Sequence, residues 1–217
     1  CCYDKTYIKL VNATRRRMMV DNQIRPSDVT KFPIIEAFLS VKREYFVPTE
    51  NRDTAYVGEH IQIGNDRVIL DPRTLAKMLD AVDVTDSELV LDVGAGYGYS
   101  AAIIAYLAEA VVALESEDRP ANEMQNALIE NGIDNVIVEQ GPLLDGAASH
   151  APYDVIFVHH TSPILIAIHP IIYSFFHKSK NILWDLDIWP ESLKAVNIIK
   201  SKFIIKKIEW FMKLIYS

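Results

Sequence analysis

The stretch Leu89-Val90-Leu91-Asp92-Val93-Gly94-Ala95-Gly96-Tyr97-Gly98-Tyr99 decides the fold of this 217-residue chain. Its first five residues form a short apolar run, which is typical of a strand buried in a parallel sheet. The glycines that follow allow the backbone to turn tightly and to pass close to a ligand. A helix is predicted directly afterwards, over the Ala- and Ile-rich residues 100–108. Such a strand–turn–helix unit predicts a ligand crevice at the end of the strand.

Strands and helices alternate on both sides of this stretch. On the N-terminal side, Pro72 can begin a helix that runs through Leu79. On the C-terminal side, a helix is predicted from Pro120 to Asn131 with Gly132 as its C-cap, and it lies among the predicted strands 111–114, 136–138 and 154–158. Short connections between alternating elements predict an α/β fold with a mostly parallel, doubly wound, Rossmann-like sheet and helices on both faces.

Composition divides the chain into three predicted segments. Residues 1–60 form an N-terminal helical extension, residues 61–160 form the ligand-binding α/β core, and residues 161–217 form a C-terminal segment of uncertain fold. All eight glycines precede the last segment, which carries a net charge of +4 against −11 for the rest. Within it, residues 181–188 and 202–208 could be strands. This change in composition leaves two hypotheses open, a highly diverged end or an altered reading frame.

Composition also excludes several classes of protein. A net charge of −7 and a pI near 5.4 argue against a nucleic-acid binder. The longest apolar stretch, residues 164–176, is shorter than the roughly 20 residues that a membrane-spanning helix needs. The only cysteines, Cys1 and Cys2, leave none to cross-link the fold, which favours a reducing cytoplasm. The histidines lack the spacing of a zinc site, so no metal is predicted.

The spacing of the glycines indicates which ligand the crevice holds. A dinucleotide fingerprint needs a glycine at the sixth position counted from Gly94, but that position is Tyr99. Glu115 follows Gly94 by 21 residues and ends the next predicted strand, where a carboxylate can accept hydrogen bonds from ribose hydroxyls. A nucleoside-containing cofactor without a pyrophosphate fits best, and S-adenosylmethionine is the common one. The alternative is a glycine-rich turn and a surface glutamate in another kind of α/β protein.

Two further segments extend this interpretation to a family. Similar segments are the glycine stretch, Val41-Lys42-Arg43-Glu44-Tyr45-Phe46-Val47-Pro48, and Ala151-Pro152-Tyr153-Asp154-Val155-Ile156-Phe157-Val158. Over about residues 15–160 the chain resembles the protein-L-isoaspartate O-methyltransferase family. The resemblance implies transfer of a methyl group from S-adenosylmethionine to the free carboxylate of L-isoaspartyl residues in damaged proteins. That carboxylate has a pKa near 4 and is already ionised at neutral pH, so no catalytic base is predicted.

The resemblance also assigns roles to residues of the predicted site. Gly94, Gly96 and Gly98 would hold the methionine and ribose side of the cofactor, Glu115 the ribose hydroxyls, and the backbone near Gly141 would face the adenine. The full set of predicted cofactor-binding residues is Asp92, Gly94, Ala95, Gly96, Gly98, Glu115 and Gly141. Asp92 would support the loop, and the partner would be a damaged protein or peptide.

This sequence departs from the family at the expected acceptor side. Leu70 occupies the position of a serine whose hydroxyl lies by the reacting groups, and Asp71 beside it would repel an incoming carboxylate unless it is paired or turned away. Pro142 replaces an acid that often follows Gly141. Two alternatives therefore stay open, a methyltransferase with another acceptor and a non-catalytic, degraded family member. A further hypothesis is that His159 or His160 orients an acceptor carboxylate.

Overall fold

The computed structural model describes residues 2–64, 67–158 and 180–183. The α-helices are α1 (Cys2–Met19), α2 (Phe32–Ser40), α3 (Pro72–Val82), α4 (Tyr99–Ile104) and α5 (Asp118–Glu130). The strands are β1 (Ile61–Gln62), β2 (Val68–Ile69), β3 (Leu89–Val93), β4 (Ala110–Glu115), β5 (Val136–Gln140), β6 (Val155–Val158) and β7 (Lys180–Leu183). Short helical turns of other types lie at Val20–Ile24, Arg25–Ser27, Arg43–Tyr45, Thr49–Thr54, Leu143–Asp145 and Ala148–His150.

Five strands form one sheet in the order β5-β4-β3-β6-β7, and every neighbouring pair is parallel. The predicted parallel sheet is therefore confirmed. The chain builds outward from β3 to β5 and then crosses back to place β6 on the other side of β3. The carboxyl ends of β3 and β6 consequently flank the point where the strand order reverses, which is where open α/β sheets bind ligands. Strands β1 and β2 pair separately as an antiparallel hairpin.

The two faces of the sheet are covered differently in the described part of the chain. One face packs against the helices, with Val111 and Phe157 in a cluster that includes Met124 of α5. The opposite face packs against residues 143–153, where the Tyr153 hydroxyl donates to the Ala147 carbonyl over 2.6 Å. Helices were expected on both faces. Within residues 2–64, 67–158 and 180–183, α-helices cover only one, and short turns cover the other.

Several predicted boundaries shift by a few residues. Helix α5 begins at Asp118, so Pro120 is its third residue rather than its first; the first-turn N–H groups have no partner within the helix, and proline is tolerated there. Helix α4 ends at Ile104 instead of residue 108. Strand β7 overlaps the predicted strand 181–188, and the two hypotheses for residues 161–217 stay open. The predicted strand 202–208 lies outside the described residues.

The N-terminal helices share one hydrophobic core with the sheet. Phe38 of α2 meets Tyr99 of α4 edge to face, with ring centroids 6.2 Å apart. The fully buried guanidinium of Arg43 lies 4.3 Å from the centroid of the same tyrosine ring. Its Nε donates to the Ala55 carbonyl over 2.7 Å and its Nη2 to the Leu70 carbonyl over 2.9 Å. One arginine thus connects the N-terminal extension, the segment before α3 and the start of α4.

Candidate cofactor site

The glycine loop follows β3 and is held by backbone hydrogen bonds to the neighbouring strand. The N–H groups of Gly94 and Ala95 donate to the Leu114 carbonyl over 2.9 and 3.2 Å. Gly98 immediately precedes α4 and has φ +85°, in the left-handed region that favours glycine. A Cβ built on Gly98 would lie 2.6 Å from the Cγ of Met124. The loop is therefore pressed tightly between the sheet and α5.

Asp92 links the end of β3 to the first turn of α4. Its side chain is fully buried, and its Oδ2 accepts a hydrogen bond from the Ser100 hydroxyl over 2.7 Å. This contact joins a residue before the glycine loop to a residue after it. The position agrees with the supporting role that the sequence predicts for Asp92, and that role stays a prediction.

Glu115 is brought directly to the glycine loop. It is the last residue of β4 and has no exposed surface. Its Oε2 accepts from the Gly96 N–H over 2.7 Å, and its Oε1 accepts from the N–H groups of Ser116 and Glu117 over 2.7 and 2.9 Å. Gly141 lies beside it, because the Gly141 N–H donates to the Glu115 carbonyl over 3.0 Å. The two parts of the predicted site, loop and acid, therefore meet.

Arg67 completes this arrangement, and the sequence analysis did not find it. Its Nη1 lies 2.6 Å from Oε1 of Glu115, its Nη2 bonds to Oε2 of the same carboxylate, and Nη2 also lies 3.3 Å from the Gly94 carbonyl. Burial alone would raise the pKa of Glu115, but the Arg67 guanidinium and the backbone N–H groups outweigh burial and lower that pKa. Glu115 is thus an anion at neutral pH, and its acceptor capacity is fully used.

Ile63 fills the remaining space over the loop. A Cβ built on Gly96 would lie 2.8 Å from the Cδ1 of Ile63 and 4.0 Å from an Arg67 nitrogen. The enclosed cavity between the β1–β2 hairpin and the glycine loop has a volume of about 10 Å³, room for about one water molecule. The residue types suit a nucleoside-containing cofactor. In this conformation Arg67 and Ile63 cover the glycine loop and leave little space over it.

The departures at the acceptor side have structural roles. Leu70 is buried with 1% of its surface exposed, and its carbonyl accepts from Arg43. Asp71 caps α3, because its Oδ1 accepts the Thr74 N–H over 2.9 Å, and its Oδ2 lies 3.4 Å from Nδ1 of His60. The Asp71 carboxylate is therefore turned into the helix end. His159 and His160 lie outside the described residues, so the hypothesis about them stays a prediction.

Replacing the capping residue, Asp71→Ala, is expected to lower the free energy of unfolding by about 1 kcal/mol, because an N-cap oxygen satisfies a helix N–H that is otherwise unpaired. Asp71→Asn retains the acceptor oxygen and should cost clearly less. Urea unfolding followed by circular dichroism measures both. Equal losses for the two variants would contradict the capping role and point to the charge instead.

Known proteins resemble this chain in sequence over most of its length. A profile of the family described as Protein-L-isoaspartate(D-aspartate) O-methyltransferase (PCMT) matches residues 14–165. The chain belongs to the protein-L-isoaspartate O-methyltransferase family. Proteins of that name from Synechococcus sp. (strain JA-2-3B'a(2-13)) and Rhodopseudomonas palustris (strain HaA2) are each 37% identical to it, over 151 and 153 residues. Each match covers 70% of this chain and 62% of the relative, so the chain aligns with less than two thirds of their length.

Solved structures agree on the fold of this family member. A protein-L-isoaspartate O-methyltransferase structure superposes with a TM-score of 0.57 at 26% identity, covering 66% of this chain and 47% of that chain. A putative protein-L-isoaspartate O-methyltransferase from Plasmodium falciparum, in complex with S-adenosyl-L-homocysteine, superposes with a TM-score of 0.65 at 16% identity, covering 80% and 85%. These superpositions confirm the Rossmann-like α/β fold that the sequence predicts.

Two features are absent from the described part of this methyltransferase-family chain. Among those residues, no group of three or more His, Cys, Asp or Glu side chains could hold a metal ion. In the same ranges, no helix combines the length and apolar character that crossing a membrane requires.

Proposed function

We propose that this chain transfers a methyl group from S-adenosylmethionine to the free carboxylate of L-isoaspartyl residues in damaged proteins. The observation that carries the proposal is the meeting of Glu115 with Gly96, over 2.7 Å, at the carboxyl end of a parallel sheet. In this proposal, Gly94, Ala95, Gly96 and Gly98 bind one side of the cofactor, and Asp92 supports the loop. Glu115 and Gly141 bind its nucleoside side.

The acceptor needs no activation by the protein. A carboxylate is ionised at neutral pH and is itself the nucleophile. The protein's task is therefore to place the acceptor oxygen in line with the methyl group and to exclude water. This chemistry is consistent with the capping role of Asp71, whose carboxylate accepts the Thr74 N–H.

A groove beside the start of α3 is our proposed acceptor site. It has a volume of about 900 Å³ and is lined by residues that include Gln23, Asp71, Arg73 and Lys77. Leu70 lines the small cavity at the glycine loop and Asp71 lines the groove, so consecutive residues line the two spaces. The Arg73 and Lys77 cations would attract the carboxylates of an isoaspartyl peptide.

An isoaspartyl peptide and the same peptide with a normal aspartyl residue provide the test. We expect transfer of radiolabelled methyl from S-adenosylmethionine to the isoaspartyl peptide and none to its aspartyl counterpart. Transfer to both peptides at similar rates would contradict isoaspartyl specificity. Absence of transfer together with absence of S-adenosylhomocysteine binding would contradict the proposed function as a whole.

Leu70 favours a second candidate, methyl transfer to another acceptor. With a buried leucine at this position, no hydroxyl is available to hydrogen-bond the acceptor carboxylate there. If the chain binds S-adenosylhomocysteine but leaves the isoaspartyl peptide unmethylated, the second candidate replaces the first. A panel of small carboxylate, amine and thiol acceptors then identifies the class.

A further inference from the structure

The β1–β2 hairpin carries the two side chains that close the candidate cofactor site. Arg67 binds the Glu115 carboxylate through both terminal nitrogens, and Ile63 lies against Gly96. The hairpin keeps the two side chains together, since the Ile63 N–H donates to the Arg67 carbonyl over 3.0 Å. The cavity between Ile63 and the glycine loop, about 10 Å³, is far below the 300–1,000 Å³ typical of ligand sites.

We propose that Arg67 is an internal competitor of the cofactor and thereby sets its affinity. This inference rests on the proposed function, because it concerns the same ribose-binding carboxylate. Arg67 and the ribose hydroxyls need the same acceptor atoms of Glu115, so both cannot be bound at once. The apparent dissociation constant then equals the intrinsic constant divided by the fraction of molecules in which Arg67 has left Glu115.

Two features of the site allow Arg67 to leave. The Glu117 carboxylate lies 3.5 Å from Nη1 of Arg67, and its side chain is 55% exposed. It therefore offers the displaced guanidinium a partner nearer to solvent. In addition, Nε of Arg67 is buried and makes no hydrogen bond to any described residue. The closed arrangement thus leaves one donor unsatisfied, which lowers the cost of leaving it.

The departure of Arg67 from Glu115 also affects how the β1–β2 hairpin covers the glycine loop. Strands β1 and β2 contain two residues each, so few ladder hydrogen bonds hold the hairpin. Arg67 gives the hairpin a charged contact with the sheet, through a carboxylate that is itself held by three backbone N–H groups. When Arg67 leaves, Ile63 moves with the hairpin and the space over Gly96 opens. The Arg67–Glu115 ion pair therefore determines both whether Glu115 can accept hydrogen bonds from a ligand and how much space lies over Gly96.

The test is calorimetric titration of S-adenosylhomocysteine into the wild-type chain and Arg67→Gln. We expect Arg67→Gln to bind at least about tenfold more tightly, because removing the competitor raises the open fraction. Thermal unfolding gives a readout independent of activity: without ligand Arg67→Gln should melt below the wild type, and with saturating ligand it should gain more in Tm. Arg17→Gln, which removes the same charge from an exposed position of α1, should behave as the wild type.

Ile63→Ala is the second variant, to be used alongside Arg67→Gln in case the latter does not fold. It opens the space over Gly96 without touching the ion pair and should also tighten binding, by a smaller factor. If the variants that fold bind S-adenosylhomocysteine no more tightly than the wild type does, the competition is overturned and the proposed function stands. If no folded form binds, the proposed function fails, and the inference fails with it.

Discussion

Glu115→Ala is expected to lower the free energy of unfolding by about 3–5 kcal/mol, because it leaves the buried Arg67 guanidinium without its partner. It also removes the acceptor for the N–H groups of Gly96, Ser116 and Glu117. If Glu115 holds the ribose hydroxyls as proposed, binding of S-adenosylhomocysteine should weaken about a hundredfold, since hydrogen bonds to a charged group are lost. Urea unfolding and calorimetric titration measure the two effects.

The matched control is Glu123→Ala, which also removes a carboxylate paired with an arginine. Glu123 accepts from Nε of Arg119 over 2.8 Å, but that pair lies on the surface of α5 and the arginine side chain is 63% exposed. Exposed pairs of this kind contribute about 0.3–0.5 kcal/mol. A loss below 1 kcal/mol for Glu115→Ala, similar to that of the control, would contradict the buried ion pair.

Gly98→Ala is expected to cost about 2–5 kcal/mol of unfolding free energy. A side chain at φ +85° adds about 1–2 kcal/mol of backbone strain. The added Cβ would also lie 2.6 Å from Cγ of Met124, and overpacking of this kind costs about 1–3 kcal/mol. Because the strained residue sits in the glycine loop, cofactor binding should weaken as well. Thermal and urea unfolding measure the loss of stability.

Gly132→Ala separates the two contributions to the Gly98 effect. Gly132 also has a positive φ, +68°, but a Cβ there would meet nothing within 4 Å. Its substitution should therefore cost only the backbone strain, about 1–2 kcal/mol. Equal losses at the two glycines would show that the contact between Gly98 and Met124 carries no energy.

The parts of the fold that depend on local pattern could be predicted from the sequence. Apolar runs predicted strands β3 to β6, and their alternation with helices predicted a parallel sheet. The position of Glu115 followed from spacing, because the carboxyl ends of adjacent parallel strands meet at one edge. The start of α3 could also have been predicted in more detail: an aspartate before Pro72 with Thr74 three residues on is the pattern of an N-cap.

The contact between Arg67 and Glu115 in the candidate cofactor site could not be predicted in the same way. Arg67 and Glu115 are 48 residues apart, and their contact depends on how the β1–β2 hairpin packs over the sheet. Arginine in a loop usually reaches solvent, so nothing in the local sequence indicates a buried partner. The structural role of Leu70 also could not be predicted from the local sequence. Its substitution for a family serine indicated a change of chemistry, whereas its burial and its bond to Arg43 depend on tertiary packing.

The buried guanidinium of Arg43 has a consequence for engineering. It is held by carbonyls of Ala55 and Leu70 and stacks on the ring of Tyr99, so its three partners come from separate stretches of the chain. A chimera that exchanges residues 1–60 for those of a relative must supply an arginine in this place. A truncation that deletes them would expose the aromatic ring and leave the Leu70 carbonyl without its donor. The N-terminal extension is therefore not a detachable module, and the junction of a chimera should not be placed at residue 60.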